Sequence, residues 1–171
     1  MTEKNNLELE KIKKIRIRID GVAGLVADLK PIVDPLFGGD DGVNSNQIRK
    51  CYDSLLLAKA HLGELLKWLG DTTPYVNEGN RHVTADIEPT AEKAGSLVQV
   101  DAFGFGNYSE KNHIEKIDYL RNEIYKIDSS IIQYTNQDGW VAVAAMRADQ
   151  HLTEARFWLG FELARYKESK K

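Results

Sequence analysis

One cysteine, Cys51, stands among 171 residues, so no intrachain disulfide can form and a reducing, cytoplasmic setting is expected. No run of 18 apolar residues occurs, which leaves no candidate membrane span. The first fourteen residues carry too much charge for a secretory signal. A strong excess of either charge is also missing: 23 Lys and Arg against 26 Asp and Glu give a net charge of −3. That balance argues against a partner such as long nucleic acid, which needs a strongly basic surface. The nucleotide P-loop, the Gly-x-Ser-x-Gly elbow, Cys-x-x-Cys and His-Glu-x-x-His are all absent. Cys51 falls on an apolar seam, a poor place for a nucleophile.

What is present is helical periodicity, in four stretches. Ile12, Ile15, Ile19, Val22, Val26 and Leu29 recur at alternating spacings of three and four, which is one face of a helix. Arg16 and Arg18 alternate with Ile15, Ile17 and Ile19, but the strand-like alternation lasts only three members, so helix is preferred. Pro31 and the run Phe37–Gly42 end it. Ile48, Cys51, Leu55, Ala58, Leu62, Leu65 and Leu69 form the second seam, with a cap among Asn44, Ser45 and Asn46 and a stop at Gly70. The third starts near Asn112 and carries Ile117, Leu120, Ile124, Ile127 and Ile131. The turn Asn136–Gly139 leads to a fourth helix from about Trp140 to Glu168, with Val141, Ala145, Ala148, Leu152, Ala155 and Leu159 inward.

Between the second and third helices lies a long connection, residues 71–111, holding Pro74 and Pro89. A short helix is expected within Asp86–Gln99, where Pro89 suits a first turn. Charge follows this division: residues 1–30 carry +2, residues 31–111 carry −5 and residues 112–171 are neutral. The run Lys11, Lys13, Lys14, Arg16, Arg18 reads as a solvated helix face, with a phosphate-attracting rim as the functional alternative.

An internal repeat is the most informative feature. Offset by 90, residues 58–70 (AKAHLGELLKWLG) fall on residues 148–160 (ADQHLTEARFWLG) with seven of thirteen positions identical, among them His, Glu and Trp. The first and third helices correspond more weakly, at Glu10-Lys11-Ile12 and Glu115-Lys116-Ile117. The expected fold is therefore all-α: helical hairpin 1 at 1–70, the connecting loop or lid at 71–111, and helical hairpin 2 at 112–171, the tandem hairpins closing into a four-helix bundle.

His61, Glu64 and Trp68 share one helix face, as do His151, Glu154 and Trp158. One reading is structural, with Trp filling the hairpin and Glu accepting the imidazole proton. The other is a ligand site in which the Trp faces stack bases, the His residues edge the pocket, and Arg81, Arg147 or Arg156 hold phosphate. Tyr75, Arg81 and His82 sit in a polar, aromatic stretch of the connection that suits a lid. For a di-metal site the partner helices offer Asp20 and Glu123, but the His-x-x-Glu order is the reverse of the carboxylate-bridged pattern, so no metal and no cofactor is expected.

The motif Ala-Lys-x-His-Leu-x-Glu-x-x-x-Trp at 58–68, and its second copy at Ala148, His151, Leu152, Glu154, Ala155 and Trp158, resembles the helical hairpin of phage sponge proteins that counter the bacterial CBASS and Thoeris defences. Members of that family carry Ala-Arg-x-His-Leu-x-Glu-Ala-x-x-Trp; Asp149 departs from it where a basic residue stands. The resemblance implies a non-catalytic, homo-oligomeric protein of the host cytoplasm. It implies capture of a cyclic dinucleotide, a cyclic trinucleotide or a cyclic ADP-ribose-type messenger. A ligand-free structural bundle and a metal-dependent nucleotide hydrolase are the rival expectations.

Overall fold

A computed structural model of the chain describes residues 3–29, 43–71 and 105–169. These form four α-helices: α1 (Glu3–Ala27), α2 (Val43–Trp68), α3 (His113–Ile131) and α4 (Gly139–Ser169), with short 3-10 segments at Tyr108–Glu110 and Ile132–Asn136. The described residues contain no strand, and no helix among them is long and apolar enough to cross a membrane. Tyr75, Arg81, His82 and the helix expected within 86–99 lie outside the described residues.

The helix ends follow local chemistry. Asn112 caps α3: its Oδ1 accepts the Glu115 N–H at 2.9 Å, and Glu115 Oε2 accepts the Asn112 N–H at 3.2 Å. Gly70 closes α2 at φ +106°, a conformation that suits glycine. The Asp71 N–H then reaches Leu66 O at 2.9 Å and the Gly70 N–H reaches Lys67 O at 3.0 Å, which satisfies those two carbonyls of the last turn.

All four helices deliver their apolar seams to one core. Ile12, Ile19, Val22, Val26, Leu55, Leu62, Leu65, Ile117, Leu120, Ile124, Leu152 and Leu159 are buried. Each neighbouring pair runs antiparallel. Lys13 meets Asp71 and Asp20 meets Lys59 across α1/α2. Glu8 meets Tyr134, at the end of α3, and Arg18 meets Glu123 across α1/α3. His113 meets Tyr166 and Tyr125 meets Arg156 across α3/α4, and His61 meets His151 across α2/α4, the most extensive contact of all. The ring order is α1–α2–α4–α3, with α2 and α3 parallel across a diagonal. The end of α2 and the start of α3 therefore lie at opposite ends of the bundle, about 39 Å apart for a 26-residue helix. Hence the connection is long. Its described end joins the core through buried Phe105 and Tyr108.

The basic run of α1 is not a solvated face throughout. Arg16 is 7% exposed and its Nε donates to Lys59 O at 3.1 Å. Arg18 Nε donates to buried Glu123 Oε2 at 3.0 Å, and its guanidinium lies 4.7 Å from the Phe105 ring centroid. The reason is that α1 packs on both α2 and α3. Leu9, Ile12, Arg16, Ile19, Ala23 and Val26 form a second three-four seam that places Arg16 at a core position. Replacing Arg18 by Met leaves Glu123 buried with only exposed Lys126 at 3.3 Å. We expect a loss of about 2–3 kcal/mol in denaturant unfolding, largely recovered when Glu123 is also made Met.

The two repeats differ at one packed charge. Lys59 pairs with Asp20 at 2.9 Å. The matching position in the second repeat is Asp149, which faces Asp128 of α3. Burial first, then the hydrogen bond and charge of Asp149, push the Asp128 carboxyl up to about 7, against the opposing pull of Arg156. A carboxyl raised in the folded state contributes stability below its unfolded value of 3.8 and loses it as pH rises through 7. Thermal unfolding should therefore show melting falling across that window. Asp128→Asn should flatten the fall, and Asp149→Lys should raise melting at pH 8 (about one unit above the Asp128 value) by rebuilding the Lys59–Asp20 pair in the second repeat.

Candidate functional site

The two copies of the repeat meet each other. Leu62 and Leu152 sit in the core, as do Ala58 and Ala148, whose small side chains let α2 and α4 close together. Leu62 and Leu152 each follow the motif histidine, so burying them turns His61 and His151 toward the α2/α4 seam. There the imidazoles stack, with centroids 5.2 Å apart and planes 1° from parallel. Glu64 Oε1 is 3.3 Å from His61 Nδ1, and Glu154 Oε2 is 3.0 Å from His151 Nδ1. The His61–Glu64 contact is poorly aligned for a hydrogen bond, whereas the His151–Glu154 contact is well formed.

A local two-fold axis passes between the rings. Trp68, seven residues beyond His61, stacks on Trp140 at 5.8 Å. Trp158, seven beyond His151, lies under Lys50 Nζ at 4.4 Å. Positions 50 and 140 correspond under the same offset of 90, so the symmetry extends one further helical step than the recognisable motif. Its two ends carry different chemistry. One is a pair of indoles, Trp68 47% and Trp140 59% exposed, with Lys67 Nζ 5.3 Å from the Trp68 ring. The other is a single half-buried indole with a cation on it.

Arg147, one turn before His151, is exposed and reaches Glu64 Oε2 at 3.8 Å. His61, Glu64, Trp68, Arg147, His151, Glu154 and Trp158 thus lie along one seam. Arg156 does not join them: it projects from the other flank of α4 and covers the Tyr125 ring at 4.8 Å. Trp140, Lys50 and Lys67 were missed in the sequence. Carrying the 90-residue offset upstream of the motif would have reached the first two.

Two expectations of chemistry meet plain geometry. The carboxylates of the partner helices are paired with cations, Asp20 with Lys59 and Glu123 with Arg18. Among the described residues no group of three or more His, Cys, Asp and Glu is placed to hold a metal. Cys51 is fully buried, and that burial pushes its thiol well above the ordinary range.

Burial lowers the His61 pKa, and the neighbouring His151 and Arg147 lower it further against the pull of Glu64. The folded protein therefore favours neutral His61. Its contribution to stability is present above 6.5 and is lost as pH falls through the depressed value. A ring-proton NMR titration should place His61 below 6.5, and His61→Phe should remove its share of acid destabilisation while keeping a ring in the stack.

No family model, no curated protein and no solved structure matches the chain.

Proposed function

We propose that this bundle captures a small cyclic nucleotide messenger along the α2/α4 seam and holds it without cleaving it. The observation that carries the reading is the two-fold meeting of the His-Leu-x-Glu-x-x-x-Trp repeats, which leaves exposed indoles and cations together on one face. Indole faces supply the sequence-tolerant stacking that nucleobases use, about 1–3 kcal/mol per base. Arg147, Lys50 and Lys67 supply charge near those faces for phosphate oxygens. The histidines play a different part from the pocket edge first expected of them. One face of each ring is covered by the other imidazole, so the pair packs the two helices together and the indoles are the rings left to meet a base.

Sequestration is a matter of affinity and amount: free messenger must fall below the level that triggers its effector. It needs no activated nucleophile or proton donor, and neutral, stacked His61 is suited to packing. The ligand classes are the cyclic dinucleotides, cyclic trinucleotides and cyclic ADP-ribose isomers, which join a base face to phosphate within one compact molecule.

A thermal-shift panel of these compounds, followed by chromatography of the denatured complex, tests the proposal. One class should raise the melting temperature, by the equivalent of about 2.7 kcal/mol at a hundred times its dissociation constant, and return intact. Trp68→Ala with Trp158→Ala should weaken capture about tenfold or more while far-ultraviolet circular dichroism is unchanged. Return of a cleaved product would make the chain a hydrolase. A flat panel would leave the seam as packing between two repeats.

A further inference from the structure

The outward face of α4 carries a second seam whose stretch from Met146 to Phe157 is exposed. Its inward seam is Ala145, Ala148, Leu152, Ala155 and Leu159, all buried. On the opposite side, Met146, Gln150, Thr153 and Phe157 recur at spacings of four, three and four, preceded by half-buried Val143 and followed by Gly160, which lies against the Arg121 side chain of α3. Met146 is 56% and Phe157 58% exposed, and Gln150 and Thr153 are exposed between them. This exposed stripe has the spacing of a coiled-coil seam about 17 Å long, apolar at both ends and polar at its centre. Trp140, Arg147, Glu154 and Phe161 flank it on the α2 side.

We infer that this face of α4 packs against α4 of a second copy of the chain, antiparallel, about a two-fold axis between Gln150 and Thr153. The choice of occupant and of direction comes from complementarity along the flanks. In that register Met146 meets the second copy's Phe157, and Gln150 meets its Thr153. The α2-side flank brings Trp140 against Phe161 and Arg147 against Glu154; the α3-side flank brings Asp149 towards Arg156. Every charged pair is of opposite sign, and each occurs twice because the contact is isologous. The parallel alternative sets Asp149 against Glu154, a like-charge pair at the flank. This inference does not depend on the ligand proposal, since it is measured without nucleotide.

Sedimentation velocity from low to high micromolar concentration should give a particle of about twice the 19.3 kDa chain. Phe157→Glu and Met146→Glu, both at exposed positions, should each return it to a monomer with unchanged helical circular dichroism. Arg147→Glu should weaken the dimer, and adding Glu154→Arg to it should restore the dimer by reversing both charges. For direction, a mixture of Met146→Cys and Phe157→Cys chains should cross-link to each other under oxidation, whereas Met146→Cys alone should not. A monomer at every concentration, a dimer indifferent to both glutamates, or ready cross-linking of Met146→Cys to itself would overturn the inference.

Discussion

The contact on which the rest depends is the closure of α2 on α4. It buries Leu62 and Leu152 beside small Ala58 and Ala148, and it is what brings His61 onto His151. Everything particular to this bundle is arranged around that crossing. The histidines stack because the leucines after them must be buried. The glutamates stand one turn away because a helix repeats there. The tryptophans fall two turns away, Trp68 at the end of α2 beside Trp140 and Trp158 beside Lys50. A bundle with the same core but unrelated sequences on α2 and α4 would have no reason to bring matching groups together. Here the local symmetry is a consequence of burying the same pattern twice, in antiparallel helices.

That symmetry is broken in an informative way. At the core it is nearly kept, with Ala, Leu and His matched pair for pair. At the flanks it fails: Trp140 faces Trp68 where Lys50 faces Trp158, and Asp149 faces Asp128 where Lys59 faces Asp20. Packing tolerates little drift in the residues that fill shared volume. Residues that touch one neighbour and water are freer to change. The divergent positions are therefore where the two halves have acquired separate properties, an aromatic pair at one end of the seam and a cation on a single indole at the other. A ligand with a base at one end and a charged linkage at the other would meet unlike partners and take one orientation.

Much of this was legible in the sequence, and what was not has a physical cause. The seams of α2, α3 and α4 could be read directly because each of those helices puts its regular three-four pattern into the core; Ile117, Leu120, Ile124, Ile127 and Ile131 are all buried as spaced. The ends at Asn112 and Gly70 were legible because capping is local chemistry. The burial of Arg16 and the pairing of half-buried Arg18 with Glu123 were not, because α1 packs on two helices and its buried arc is wider than one seam. An arginine within that arc interrupts the apolar rhythm and looks like surface until its acceptor, Lys59 O or Glu123, is known. The candidate site divided in the same way. The shared face of His61, Glu64 and Trp68 follows from helical spacing alone. That His61 would meet His151 required the pairing of helices, which spacing within one helix does not contain. Arg156 sits in the same thirteen residues as His151 but on another flank, so proximity in sequence misplaced it.

The outer face of α4 brings these lines together. A helix in a four-helix ring needs one apolar arc, and α4 fills it with Leu152, Leu159 and Leu163 interleaved with Ala145, Ala148 and Ala155, whose small side chains admit close approach of its neighbours. Three other large apolar side chains, Met146, Phe157 and Phe161, point the other way, where they gain nothing from the monomer's core. Scattered exposed hydrophobes are ordinary on a protein surface, but large ones at heptad spacing beside matched charges are not. In the proposed dimer the same helix would serve two interfaces, alanines and leucines on the inner one and Met146 and Phe157 on the outer. The inner one is set by how closely α2 must come for the imidazoles to stack. The outer one is free of that constraint and can offer bulk. Such a division would let self-association form without disturbing the α2/α4 core, while Arg147 and Glu154, at the border of both faces, connect the state of one interface to the electrostatics of the other.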